Sequence, residues 1–290
     1  MTNFDENRVR EVAIQSTKMS GSFIRLLAFD KLNYMSPETE FDNIASRLTK
    51  NAILAQFPKA KIFIDTDDKN SIAIDDKELT WFVNPLNGRK AFTKGQFAFV
   101  CSSNAAWDSE GLIAASIYNP FTDITYSASR SSKGAYLNED LLPKPRIVKK
   151  TNARILMDFS NSLDDNLKIA LSTADVRGEV GRVLRFDGAI AQHLALIVQG
   201  ALDAAIIWGS GSKGAYWDLA AALLLLDRQG YKITNLEGKA IMPTDKSFDQ
   251  LVVAEPDLHK EIMDWIPKVK SFKGIQTDGI PKKRFFGLFG

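Results

Sequence analysis

A polar segment from Asn84 to Lys90 holds the side chains of this chain that are best suited to bind a charged ligand. The amides of Asn84 and Asn87 offer carbonyl oxygens to a cation, although they bring no charge. Arg89 can bind an oxyanion through two parallel hydrogen bonds, and Lys90 places a second positive charge beside it. Because Asn-Gly pairs form turns, the alternative is that Asn87 and Gly88 only shape the loop.

Two acidic segments elsewhere in the sequence could contribute to the same chemistry. Asp65 and Asp67 follow Ile62 to Ile64, an apolar run that is typical of a strand. Asp218 lies at the start of a predicted helix, where an acid caps backbone N–H groups and complements the helix dipole whether or not a metal is bound. A solvated turn at Asp65 and Asp67, and a capping role alone for Asp218, are the alternatives to metal binding.

The composition limits the classes of protein to consider. A net charge of +2 gives no reason to expect nucleic acid or an anionic membrane as a partner. The single cysteine, Cys101, excludes an intramolecular disulfide, and with only two histidines we expect no histidine-based zinc site. The N-terminus lacks an apolar signal segment, and the longest apolar run, Leu219 to Leu226, is too short to span a bilayer. We therefore expect a cytoplasmic protein.

Apolar periodicity and turn residues divide the chain into helices and strands. Helices are predicted at 7–30, 40–56, 162–172, 189–198, 217–229 and 257–265. Strands are predicted at 62–64, 81–83, 154–157, 204–208, 232–233 and 251–253. An antiparallel meander is predicted over 96–135, with its first strand at 97–100, and Pro85 is expected to end the strand before it.

This order of elements predicts an α+β/α/β protein in which helices and sheets form layers. An antiparallel-rich half at 1–145 is expected to precede an α/β half at 146–270, with a basic tail at 271–290. Residues 281–290 mix basic and aromatic side chains, which leaves a membrane or nucleic-acid contact open. An exposed tail without a partner is the simpler prediction.

Several segments, taken in order, resemble motifs of the inositol monophosphatase family. Trp81–Arg89 keeps the frame of the family's Trp-x-x-Asp-Pro-x-Asp-Gly-Thr motif, and Trp217–Ala221 matches its Trp-Asp-x-Ala-Ala motif. Weaker matches are Thr39–Asp42, Gly111–Asn138 and Arg185–Asp203. Each motif is weak alone, but their order and spacing over roughly residues 7–265 make the resemblance specific.

The resemblance implies a layered α-β-α-β-α sandwich, a homodimer and a phosphatase that acts on a phosphorylated small molecule. The family holds Mg²⁺ with converging carboxylates, so that one ion activates a water and another stabilises the leaving oxygen. Its loop supplies two aspartates, a backbone carbonyl and a threonine. The matching positions here are Asn84, Asn87, Leu86 and Arg89.

The remaining positions complete the implied metal site only in part. Asp218 is retained, while Asp65 or Asp67 could stand in for the glutamate pair that the family places upstream. The stretch between Asp203 and Asp218 lacks the acid with which the family binds sugar hydroxyls.

The chain departs from the family most strongly in the charge of the loop. Asn84 and Asn87 replace two aspartates and Arg89 replaces the threonine, so that with Lys90 the loop shifts by about four charge units. A cation a few ångströms from Arg89 would meet a repulsion of roughly 4 kcal/mol per unit charge at an effective dielectric constant of about 20. A phosphate at Gly88, Arg89 and Lys90 would instead be attracted.

Three functions are compatible with the sequence. The preferred one is a family member with lost or strongly reduced Mg²⁺-dependent phosphatase activity, which keeps a loop that binds inorganic phosphate, sulfate or a phosphorylated ligand. The second is an active phosphomonoesterase on an inositol, sugar or nucleotide phosphate, with metal held by Asp218, Asp65 or Asp67. The third is a non-catalytic regulatory or scaffold homodimer. Asn84, Asn87 and Arg89 favour the first over the second.

Overall fold

The computed structural model describes residues 4–31, 38–65, 74, 77–158, 165–186, 188–208, 214–242, 247–248 and 250–270. Seven α-helices lie in these ranges: α1 (Glu6–Lys31), α2 (Glu38–Gln56), α3 (Arg89–Thr93), α4 (Asp165–Val176), α5 (Ile190–Val198), α6 (Tyr216–Gln229) and α7 (Pro256–Lys270). No helix in the same ranges is long and apolar enough to cross a membrane.

The first sheet contains seven strands in sequential order, β1 to β7. They are β1 (Lys61–Ile64), β2 (Thr80–Asn87), β3 (Cys101–Asp108), β4 (Gly111–Asn119), β5 (Ile124–Ser129), β6 (Tyr136–Leu137) and β7 (Asp140–Leu141). β1 is parallel to β2 and each later pair is antiparallel, so the predicted meander is confirmed.

The second sheet has the strand order β12-β14-β10-β8-β9. Its strands are β8 (Arg154–Asp158), β9 (Arg182–Phe186), β10 (Ala204–Trp208), β12 (Lys232–Thr234) and β14 (Gln250–Ala254). β8 is parallel to β9 and β10, whereas β14 is antiparallel to β10 and β12. A separate ribbon pairs β11 (Gly214–Ala215) with β13 (Ser247–Phe248).

Helices and sheets alternate in five layers. α1 and α2 cover one face of the first sheet, α5 and α6 lie between the two sheets, and α4 and α7 cover the outer face of the second sheet. The largest apolar cluster surrounds α5 and α6, because both helices bury residues against a sheet on each side. The predicted mixed α and β fold, layered α-β-α-β-α, is therefore confirmed.

Two predictions in the first half of the chain were wrong. β2 continues through Pro85 to Asn87, with an irregular register to β3 between Asn84 and Asn87. Proline is accommodated there because β1 has already ended opposite Val83, so no partner on that side needs its missing N–H. Residues 97–99 form a 3₁₀ turn rather than a strand.

Two helices in the second half extend beyond their predicted ends. α4 runs to Val176 rather than 172, while 159–164 lie outside the described residues. α7 runs to Lys270 rather than 265 and contains Pro267. In both cases the apolar periodicity marked the buried face of the helix but not the residue at which the helix ends.

The long helix α1 supports the loop that follows β2. Ile24 and Ala28, in its C-terminal half, pack in one apolar cluster with Leu86 of β2 and with Ala91 and Phe92 of α3. The loop between β2 and α3 is therefore backed by a buried surface that fixes where its polar residues lie.

Candidate functional site

Three neighbouring strands of the first sheet, β1, β2 and β3, place polar residues next to one another across the sheet. Asn84 of β2 pairs with Ser103 of β3 in the antiparallel register. On the other side of β2, the last parallel pair joins Ile64 with Val83, and the next backbone N–H, that of Asp65, donates to the Val83 carbonyl oxygen over 3.2 Å. Asp65, Asn84 and Ser103 therefore form a row across the ends of β1, β2 and β3.

The first turn of α6 meets this row. Asn84 Nδ2 donates to Asp218 Oδ1 over 2.8 Å, and Asn87 Nδ2 reaches the Asp218 backbone carbonyl oxygen over 3.4 Å. Asp218 Oδ2 accepts a hydrogen bond from the backbone N–H of Ala215 over 2.8 Å. Asp218 thus caps α6, as the sequence predicts, and it also fastens the helix to β2.

The turn after β2 requires glycine at position 88. Gly88 has a φ of +91°, and a Cβ atom there would lie 2.6 Å from the carbonyl oxygen of Phe99 and 2.9 Å from the backbone nitrogen of Ala189. Those two groups are hydrogen bonded to each other over 2.9 Å. The Asn87-Gly88 turn is therefore packed against the start of α5. This packing fixes the positions of the site residues on either side of the turn.

Positive charge in the site comes mainly from side chains. α3 is only 5 residues long, so its dipole contributes little to anion binding. Arg89 Nη2 lies 2.9 Å from Asp65 Oδ2, with the Arg89 side chain 40% exposed and the Asp65 side chain 13% exposed. Lys90 is exposed. The site thus contains an internal ion pair whose guanidinium stays partly open to solvent.

The residues of the site fit a divalent cation poorly. Mg²⁺ requires near-octahedral oxygen coordination and is usually held by one or two carboxylates that are free to bind it, together with waters. Here Asp65 contacts Arg89, while Asp218 accepts hydrogen bonds from Asn84 and Ala215. Within the described ranges, no group of three or more His, Cys, Asp or Glu side chains could hold a metal ion. The buried amide oxygen of Asn84 is the neutral ligand that the site could add.

The structure places most of the residues singled out from the sequence. Asn84 and Asn87 contact Asp218, and Arg89 separately contacts Asp65. Gly88 forms the turn between Asn87 and Arg89. Asp67 and the tail at 281–290 lie outside the described residues. The metal-ligand roles of Asp65, Asp67, Asp218 and Leu86, and the phosphate-ligand roles of Gly88, Arg89 and Lys90, stay predictions.

Sequence reasoning missed Ser103, which is 1% exposed and lies directly beside Asn84. The signal was present in the alternation of β3, because Cys101, Ser103 and Ala105 share the face that pairs with Asn87, Asn84 and Phe82. The register was hidden by the prediction of a strand at 97–100, which shifted the start of β3.

A second charged cluster belongs to the fold rather than to the site. Asp203 precedes β10 and contacts Arg154 over 3.0 Å and Arg146 over 2.8 Å. Burial opposes ionisation of Asp203, but the hydrogen bonds from the two guanidinium groups outweigh it and hold the pKa of the carboxyl below its usual value. These contacts tie the 144–154 connection to the second sheet.

Five alternating layers of helix and sheet, with a polar Asn-Gly loop set against the first turn of α6, define the class of layered α-β-α-β-α sandwich folds. The sequence profile of the inositol monophosphatase family matches residues 5–270. The chain therefore belongs to the inositol monophosphatase family, whose members are generally Mg²⁺-dependent phosphatases that act on phosphorylated small molecules.

Curated relatives agree with this assignment. An inositol-1-monophosphatase of Bacillus subtilis is 26% identical over 272 residues, which cover 91% of this chain and 97% of the relative. An inositol-1-monophosphatase of Mesorhizobium japonicum is 28% identical over 201 residues, covering 67% of this chain and 71% of the relative.

Solved structures share the fold at lower identity. Inositol monophosphatase II of Staphylococcus aureus superposes with a TM-score of 0.74 at 18% identity and covers 89% of this chain and 92% of its own. The suhB protein of Bartonella henselae gives a TM-score of 0.74 at 23% identity, with 92% of this chain and 100% of its own covered. At these identities the likeness concerns the fold alone.

Proposed function

We propose that this chain binds phosphate, free or on a small molecule, at Arg89 and Lys90, and that its Mg²⁺-dependent phosphatase activity is strongly reduced or lost. The observation that carries the proposal is the 2.9 Å ion pair between Arg89 and Asp65. It places a permanent cation of the chain itself next to an acid that a metal site would need.

The second acid supports the same proposal. Asp218 could bind Mg²⁺ only by giving up the 2.8 Å hydrogen bond from Asn84 Nδ2 or by sharing its oxygen with the metal, against the repulsion of Arg89. The amide of Asn84 satisfies the carboxylate without a metal, whereas an aspartate at this position would require one. The site can therefore be stable without a bound metal ion.

The basic side chains support binding of an anion. Arg89 is 40% exposed, so its guanidinium can reach a ligand while its partner Asp65 stays largely buried. A guanidinium binds phosphate through two parallel N–H donors, and Lys90 adds a mobile charge at the same turn. Because the guanidinium is partly open to solvent, the pair is screened on that side, so phosphate can compete with Asp65 for the guanidinium.

The names of relatives, and the ligands bound in their structures, suggest the ligand classes to test. Structures of the staphylococcal relative are described as bound to inositol monophosphate and to 2'AMP, with TM-scores of 0.71 and 0.74. Relatives from Aquifex aeolicus and Thermotoga maritima are named fructose-1,6-bisphosphatase/inositol-1-monophosphatase. For this chain we propose the same panel of inositol, sugar and nucleotide phosphates.

Phosphate binding is tested by calorimetric titration of the intact chain with inorganic phosphate in the presence of EDTA. We expect binding that falls at least tenfold in the double variant Arg89→Ala/Lys90→Ala. The control, Lys133→Ala/Lys149→Ala, removes the same charge from two exposed positions and should bind as the parent does. Equal binding by the first double variant and the parent would sink the proposal.

Turnover separates the first function from the second. The panel is assayed for phosphate release with Mg²⁺ or Mn²⁺ and then with EDTA. We expect no metal-dependent turnover above background. Turnover that EDTA and Asp218→Asn both abolish would establish the second function, an active phosphomonoesterase. The observation that favours this alternative is the buried Asn84 oxygen, which has no hydrogen-bond partner within the described ranges and lies beside Asp218.

We also propose the homodimer that family membership suggests, with the two halves of each chain divided near residues 145 and 146. Light scattering during size-exclusion chromatography measures the mass of the assembly. A dimer that binds no member of the phosphate panel would favour the third function, a non-catalytic scaffold.

A further inference from the structure

Two buried oxygens in the row at Asn84 have no hydrogen-bond partner among the described residues. Asn84 is 5% exposed and its Oδ1 atom lacks a partner, and the same holds for Oγ of Ser103, which is 1% exposed. The two residues are directly paired across β2 and β3, so their side chains lie on the same face of the sheet. Buried polar atoms are usually paired, and at this site a bound ligand or a water can supply the missing contact.

The chemical character of the Asn84 oxygen is fixed by its neighbour. Asn84 Nδ2 donates to Asp218 Oδ1 over 2.8 Å. Rotating the amide by half a turn would bring two acceptors, Oδ1 and the carboxylate, into contact, so this orientation is the stable one. The remaining amide oxygen can only accept, so an anion that satisfies it must bring an N–H or O–H group.

An anion that satisfies the whole site must therefore meet two demands, because it must both accept and donate hydrogen bonds. Arg89 and Lys90 offer only donors and require oxygens that accept. Asn84 Oδ1, and the carboxylates of Asp65 and Asp218 on either side of it, offer only acceptors. Sulfate carries no proton near neutral pH and meets the first demand alone. Phosphate keeps at least one O–H in both of its neutral-pH forms and meets both demands.

We propose that Asn84 makes the site selective for hydrogen phosphate over sulfate, by accepting a hydrogen bond from the O–H group of the bound anion. This inference rests on the proposed function, because it concerns the anion held by Arg89 and Lys90. It also narrows the expectation from the sequence, in which phosphate and sulfate were equivalent ligands. A phosphorylated small molecule, whose dianion has no P–O–H group, must satisfy the Asn84 oxygen through a hydroxyl of its organic part.

The test compares three dianions by calorimetric titration at pH 7.5 with EDTA present. Phosphate carries an O–H group, whereas sulfate and monofluorophosphate do not, and monofluorophosphate keeps the phosphorus atom and the charge. We expect phosphate to bind at least tenfold more tightly than either of the others. In Asn84→Leu, which removes the acceptor at similar volume, the preference should fall to about twofold through weaker phosphate binding. Asn7→Leu, which makes the same exchange at an exposed position of α1, should keep the preference.

The outcomes distinguish this inference from the function on which it rests. Equal binding of phosphate, sulfate and monofluorophosphate by the parent chain would overturn the selectivity while leaving an anion-binding site. Binding of none of the three would overturn the proposed function itself. If Asn84→Leu does not fold, the comparison of the three anions on the parent chain still decides the question.

Discussion

Arg89 and Asp65 lie 24 residues apart in the sequence, yet Arg89 Nη2 and Asp65 Oδ2 are 2.9 Å apart. The pair joins the end of β1, where the family places acids, to the start of α3, where the family places phosphate. An anion that binds Arg89 must compete with Asp65, and a cation that binds Asp65 must compete with Arg89. The ion pair therefore weakens the binding of both anions and cations. It weakens anion binding less, because the guanidinium is the more exposed partner.

Replacing Asp65 should strengthen phosphate binding. In Asp65→Asn the guanidinium of Arg89 loses its internal counter-ion, and the energy released to the ligand is at most about 1 kcal/mol, or roughly fivefold in Kd. Calorimetric titration with phosphate measures the change. Glu139→Gln removes one negative charge from an exposed turn between β6 and β7 and should leave the Kd unchanged. Weaker phosphate binding in Asp65→Asn would mean that Asp65 orients the guanidinium for its ligand.

Asp218 should stabilise the fold without any metal. Asp218→Asn removes an acceptor from either Asn84 Nδ2 or the Ala215 N–H, and we expect a loss of about 1–2 kcal/mol in the free energy of unfolding. Urea denaturation measures it, with and without EDTA. Asp227→Asn, in the last turn of the same helix and exposed, should change stability by less than about 0.5 kcal/mol. A large effect of EDTA on the parent chain would contradict a metal-free role.

Restoring the family's loop residues should restore metal binding more fully than phosphatase activity. The triple variant Asn84→Asp, Asn87→Asp and Arg89→Thr places two new carboxylates near Asp218. Their mutual repulsion should lower the stability of the folded state until a cation binds. We expect Mg²⁺ to raise the Tm of this variant by several degrees and to leave the parent unchanged. Phosphate release should recover weakly at best, because the upstream glutamates of the family are absent. Robust turnover would show that Asp65 or Asp67 replaces them.

The sequence predicted the layered fold because its signals are local and numerous. Apolar periodicity located α1, α2, α5 and α6, and glycine marked the end of α6 at Gly230, which has a φ of +93°. The errors arose where tertiary packing decides. The extension of β2 through Pro85 depends on where the neighbouring strand β1 ends.

The candidate site was predictable in its residues but not in its contacts. The motif frame identified Asn84, Asn87 and Arg89, and the charge of the loop indicated an anion. The bond from Asn84 to Asp218 joins residues 134 positions apart, and no periodicity reports such a contact. Ser103 could be found only through the register of β2 with β3, and the predicted strand at 97–100 placed the start of β3 too early for that register to be recognised.

Acid should destabilise the protein through His259 at the start of α7. Burial, assisted by the nearby charge of Lys232, lowers the pKa of His259 to about 4, and its Nε2 contacts Thr234 Oγ1 over 3.0 Å. A histidine with a depressed pKa contributes stability above its unfolded pKa of about 6.5, and this contribution is lost as the pH falls toward 4. Between pH 7 and 5 the loss is about 2 kcal/mol.

The contribution of His259 is isolated by comparing urea denaturation at pH 7 and pH 5 in the parent and in His259→Gln. Glutamine can still reach Thr234 but does not titrate, so the variant should lose about 2 kcal/mol less on acidification than the parent does. The same acid sensitivity in both proteins would assign it to other groups.

The turn at Gly88 should tolerate no side chain. Gly88→Ala combines a left-handed φ of +91° with a Cβ atom only 2.6 Å from the Phe99 carbonyl oxygen, and backbone must move to relieve it. We expect a loss of about 3 kcal/mol in the free energy of unfolding, and loss of phosphate binding because Arg89 moves with the turn. The matched control is Gly95→Ala, at a φ of +74° with nothing within 4 Å, where strain alone should cost about 1 kcal/mol. Urea denaturation and phosphate titration of both variants measure the difference. Equal losses of stability would mean that the contact with Phe99 yields easily and that only the φ at Gly88 requires glycine.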